Sequence, residues 1–109
     1  MDVRQEKIGE VSVVGVTGRI DSSTAPLLEK HLTENLGAEK VRVVLDLSRL
    51  EYISSAGLRV LMLAAKQAKA QGGALAVAAL QPIVREIFEI SRFTLVMKVF
   101  TTLDEALAG

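Results

Sequence analysis

The run Val41-Arg42-Val43-Val44-Leu45-Asp46-Leu47 restricts the fold more than any other stretch of the chain. A strand with one face in water alternates apolar and polar residues, whereas this run is apolar almost throughout, as in a strand covered on both faces. It predicts a central strand with helices packed on both sides. A chain of 109 residues has material for one such core, so residues 1–109 are read as a single domain. Half of the residues are apolar and only 4% are aromatic, so that core is built from Val, Leu, Ile and Ala, which suits a sheet under helices.

The segments around the central strand supply the rest of an α/β pattern. Val11, Val13, Val14 and Val16 mark a strand over Val11–Val16, with a weaker strand before it at Val3–Ile8, and Gly18–Ser23 carries turn chemistry. Thr24 is placed to cap a helix with Pro26 in its first turn, a stripe at Leu28, Leu32 and Leu36, and a stop at Gly37. A second helix is expected over Ala56–Gln71, ending at Gly72-Gly73, with Leu58, Leu61, Met62, Ala65 and Ala68 on its buried stripe. Val60 and Leu63 fall outside that stripe, beside Arg59, Lys66 and Gln67, which makes a mixed face suited either to a partner or to broader burial. Leu75–Ala79 reads as a buried strand, Pro82 opens a short helix with Ile83, Ile87 and Ile90, and Met97–Phe100 adds a last strand. Thr102 and Glu105 have capping-box spacing and start a C-terminal helix. The expected fold is therefore α/β, a mixed and mostly parallel sheet with an antiparallel N-terminal edge and about four helices.

Charge and composition narrow the function classes. The 13 basic and 13 acidic residues cancel, so no long-range field draws in a nucleic acid or an anionic membrane. With no cysteine and one histidine, His31, there is neither a thiolate nucleophile nor a ligand set for zinc, and no metal or cofactor is implied. His31 is read as a surface residue. Mixed charges at Asp2, Arg4, Glu6 and Lys7 do not fit a signal peptide, and no apolar run has the ~18 residues of a membrane span, so a cytoplasmic location without membrane insertion is expected. A serine nucleophile needs a base, and His31 lies on a different helix, so no catalytic residue is assigned. No Gly-rich phosphate loop followed by Lys-Ser or Lys-Thr is present for ATP.

Functional groups in such sheets gather where strands end and helices begin, and Asp46–Leu58 crosses that boundary. Ser55 is expected to cap the second helix, where free backbone N–H groups and the positive helix end would also stabilise a phosphate. Gly57 in the first turn leaves room for close approach by a partner or phosphate. Taken by themselves, Ser54 and Ser55 equally fit a purely structural cap, and Asp21 fits a turn residue.

The segment Tyr52-Ile53-Ser54-Ser55-Ala56-Gly57-Leu58-Arg59, preceded by Val44-Leu45-Asp46-Leu47-Ser48, resembles the STAS domain of bacterial anti-sigma factor antagonists. Gly18-Arg19-Ile20-Asp21-Ser22-Ser23-Thr24-Ala25 and the ending Val99-Phe100-Thr101-Thr102-Leu103-Asp104-Glu105-Ala106-Leu107 extend the resemblance over nearly the whole chain. It implies a non-enzymatic partner-switching protein of transcription control. In its unphosphorylated form such a protein binds a serine kinase that is also an anti-sigma factor and so frees the sigma factor; phosphorylation ends the binding, and a phosphatase restores it. By the same resemblance Ser55 is the phosphoacceptor, with Ser54 as fallback, and Asp21, Ser22, Ser54, Gly57, Leu58, Arg59 and Leu63 form the partner surface. The family pattern is Asp-Ser-Ser/Thr-Gly, whereas this chain has Ser54-Ser55-Ala56-Gly57. If the family's second hydroxyl position is the modified one, Ala56 makes the chain a constitutive binder; if the first, Ser55 is competent. An alternative use of STAS domains is as an accessory subunit of a membrane transporter or lipid-trafficking complex, without phosphorylation.

Overall fold

The computed structural model describes residues 1–37 and 40–109. In chain order its elements are β1 (Asp2–Ile8), β2 (Val11–Ile20), α1 (Ala25–Asn35), β3 (Arg42–Ile53), α2 (Ser55–Ala70), β4 (Ala74–Ala78), α3 (Pro82–Ile90), a 3-10 turn (Phe93–Leu95), β5 (Lys98–Phe100) and α4 (Leu103–Ala108). The strands lie in the order β1-β2-β3-β4-β5, antiparallel between β1 and β2 and parallel elsewhere. β3 is central, as its apolar run requires. Val14, Val43, Leu45, Leu47 and Val77 meet α1, α2 and α3 on one face, while Val11, Val13 and Val44 meet Ala106 of α4 on the other. Among the described residues no helix is long and apolar enough to cross a membrane.

β2 and β3 both run further than local propensity suggests. Gly18–Ile20, read as the start of a turn, stays in the sheet against Leu50–Ile53. Burial of Ile20, Leu50 and Ile53 drives this long-range pairing. The mismatch is absorbed by register shifts opposite Gly15/Thr17 and Gly18/Arg19, and Gly18 adopts a φ of +100°, which a side chain would strain. The extension carries the end of β3 up to Ser54.

The structure settles two helix faces that the sequence left open and corrects one reading. Val60 is buried, because α2 packs on α1 as well as on the sheet, and Val60 and Leu32 line one groove between the helices; Leu63 remains exposed. In α3 the buried residues are Val84 and Phe88, whereas Ile83 and Ile90 face solvent. The two stripes share a helical period, and the aromatic one wins because Phe88 stacks edge-on against Phe93, with ring centroids 5.2 Å apart. His31, expected at the surface, is half-buried with an enclosed, unpaired Nδ1, because on α1 it borders the buried row of Leu28 and Leu32.

Candidate functional site

β2 and β3 end side by side, and the chain leaves each through a polar turn. The Ser54 N–H donates to the Ile20 carbonyl at 2.8 Å, which fixes the start of α2 against the start of the Asp21 loop. Ser54 is still extended, with φ −87° and ψ 173°, and its Oγ accepts the Gly57 N–H at 3.3 Å. Ser54, not Ser55, is thus the cap of α2. Held in the extended conformation by its bond to Ile20, Ser54 takes the cap position one residue before the expected Ser55, and Ser55 becomes the first helical residue, with an exposed side chain. One serine satisfies the helix end and the next stands beside the same unsatisfied backbone donors with its side chain in solvent.

The Asp21 loop is shaped by one carboxylate. Asp21 Oδ1 accepts the Ser23 N–H at 2.9 Å, the Ser23 hydroxyl at 2.7 Å and the Thr24 N–H at 3.1 Å. These bonds, the Ser23 hydroxyl first, hold the Asp21 carboxyl below its usual range. The Asp21 side chain thereby orders the turn ahead of α1, while its main-chain carbonyl accepts the Ala25 N–H at 2.8 Å; Thr24, the expected cap, caps no N–H of α1 with its side chain, and its hydroxyl donates to the Arg19 carbonyl at 3.1 Å. Ser22 stands exposed at the tip of the loop.

The remaining predicted site residues divide by exposure. Arg59 is exposed and Leu63 is 47% exposed, so both are accessible along α2. Leu58 is buried in the core, and Gly57 is buried beneath the helix end. A Cβ on Gly57 would stand 2.6 Å from Ile20 Cγ2 and 2.7 Å from Ile53 Cγ1. The glycine therefore lets α2 descend onto the strand ends and does not open a path for a ligand. Gly57→Ala is expected to lower stability by ~1–3 kcal/mol despite alanine's better helix propensity, because both isoleucines are branched and enclosed. Urea denaturation measures this, and an unchanged midpoint would show that the strand ends relax freely.

Arg19 and Tyr52 escaped the sequence reading. They are register partners, and the Arg19 guanidinium lies 4.5 Å from the Tyr52 ring centroid. Their pairing places an exposed cation immediately before the Asp21 loop. Only knowledge that β3 extends to Ile53 would have brought them together.

Comparison with known proteins agrees with this arrangement. The STAS domain family profile matches residues 2–106. BtrV of Bordetella bronchiseptica, named as an anti-sigma factor antagonist, is 42% identical over 109 residues, covering 100% of this chain and 94% of that protein. The anti-sigma-F factor antagonist RsfB of Mycobacterium tuberculosis is 30% identical over 99 residues, covering 91% of this chain and 80% of its own length. The crystal structure of an anti-sigma factor antagonist from Mycobacterium paratuberculosis superimposes with a TM-score of 0.86 at 31% identity, covering 98% of this chain and 91% of the other. A five-stranded mixed sheet with a serine-bearing turn at the end of its central strand, matched over nearly its full length, places this chain in the STAS domain family, among the anti-sigma factor antagonists.

Proposed function

We propose that the unphosphorylated chain binds a cytoplasmic serine kinase that is also an anti-sigma factor, that this binding releases the sigma factor, and that phosphorylation at Ser55 ends it. The observation that carries this reading is the division of labour between adjacent serines. Ser54 holds the Gly57 N–H, while Ser55 is exposed on the first turn of α2. A phosphate on Ser55 would meet the positive end of a 16-residue helix without removing its cap. Relatives at 30% and 42% identity are named antagonists, which favours this reading over a transporter accessory subunit.

Asp21, Ser22, Arg59 and Leu63 are the accessible members of the proposed partner surface. Ser54 and Gly57 support it from below, and Leu58 anchors α2 in the core. The protein acts by binding, with catalysis and ATP supplied by the kinase. Size-exclusion chromatography of a kinase–sigma complex mixed with this chain tests the idea. Free sigma factor is expected with untreated chain and not with chain pre-incubated with kinase and ATP. Sigma factor that stays bound in both cases would contradict the proposal.

The two serines should separate cleanly. Ser54→Ala is expected to lower stability by ~1 kcal/mol through loss of the cap while still accepting phosphate. Thermal melts and intact mass together check this, and loss of phosphate with unchanged stability would reverse the two roles.

A further inference from the structure

At the end of the sheet away from Ser55, the outer edge of β4 is only partly covered. β5 pairs with Ala76, Val77 and Ala78, which leaves Ala74 and Leu75 without a strand on that side. A cavity of about 280 Å³ opens there, walled by Val43, Ala65, Leu75, Met97 and Phe100. Among the described residues, the charged side chains that line it are Arg42, Lys69 and Lys98, all basic, and Gly109 adds main chain to the wall. In a chain whose formal charges sum to zero, this is a local concentration of cations on hydrocarbon.

The cations differ in what else they do. One Arg42 N–H donates to the Ala106 carbonyl at 3.2 Å, which fixes the guanidinium at the cavity wall. Lys69 stands in the last turn of α2, where a cation also favours the helix end. Lys98 is exposed on the short edge strand. Val96, which lines the cavity, is 45% exposed, and its neighbour Leu95 is 82% exposed, so apolar surface continues past the mouth. Sites for small molecules commonly measure roughly 300–1,000 Å³, which puts this cavity at the size for one short chain and not for a two-chain lipid.

We propose that this cavity binds a single-chain anionic amphiphile, a medium-chain fatty-acid carboxylate. Its tail would lie against Leu75, Met97 and Phe100 and its carboxylate among Arg42, Lys69 and Lys98. Apolar walls supply burial, and the cations select an anionic head. The site stands independently of the phosphorylation switch, since it lies at the opposite end of α2 from Ser55.

Titration of ¹⁵N-labelled protein with octanoate below its micelle concentration tests the proposal, with octan-1-ol and inorganic phosphate as comparisons. Saturable amide shifts are expected at Ala74, Leu75, Met97 and Lys98, at least ~tenfold weaker for octanol, and absent for phosphate at equal concentration. Lys69→Glu with Lys98→Glu should weaken octanoate ~tenfold, whereas Ser55→Asp should leave it unchanged. Equal affinity for octanol, saturation by phosphate alone, no saturable octanoate shift, or undiminished binding by the charge-reversed variant would each overturn it.

Discussion

Ser55→Asp is expected to weaken binding to the proposed kinase partner by about a hundredfold or more, ~2.7 kcal/mol, while the thermal midpoint moves by only a few degrees. The two effects separate because the substitution acts on two different surroundings. Within the free chain, a carboxylate on the first helical residue lies beside unsatisfied N–H groups and the positive helix end, worth ~0.3–1 kcal/mol in its favour. Against a partner docked on the Asp21 loop and the exposed side of α2, the same charge must be desolvated at the centre of the contact, where an unpaired charge costs ~2–5 kcal/mol. Phosphate carries more charge and more bulk, so the modified protein should behave like the variant or more strongly. Calorimetric titration and thermal melts measure both halves. Unfolding of the variant, or unchanged affinity with an intact fold, would remove the basis for a switch that works without refolding.

Phe88→Ala is expected to lower stability by ~3–5 kcal/mol, whereas Ile90→Ala on the same helix should change it by less than ~0.5 kcal/mol. Phe88 is fully buried and edge-stacked on Phe93, while Ile90 is 76% exposed. Against a total of roughly 5–15 kcal/mol for a domain, the first change threatens folding and the second should be nearly silent. Chemical denaturation of the pair therefore tests which stripe of α3 faces the core. Equal losses would favour a helix rotated toward the isoleucines.

That helix shows where sequence periodicity stops being informative. Ile83, Ile87 and Ile90 form a stripe as regular as the one through Val84 and Phe88, and only the aromatic contact across to Phe93 decides between them. By contrast, β3 was legible because an apolar run demands cover on both faces, and α4 because Thr102 and Glu105 make their capping bond as spaced, at 3.1 Å. The cap of α2 was legible to within one residue. Ser54 and Ser55 are chemically identical candidates for the cap, and the choice falls to Ser54 because β3 continues to Ile53 and Ile20 holds the Ser54 N–H. Long-range strand pairing sets that, not local propensity. The same pairing hid the contact of Arg19 with Tyr52 and gave Gly57 its packing role.

The most direct measurement is the intact mass of the parent chain, Ser54→Ala and Ser55→Ala after incubation with ATP and the cognate kinase. One added phosphate is expected on the parent and on Ser54→Ala and none on Ser55→Ala. A phosphate retained by Ser55→Ala, or an unmodified parent with a kinase active on another substrate, would contradict Ser55 as the acceptor.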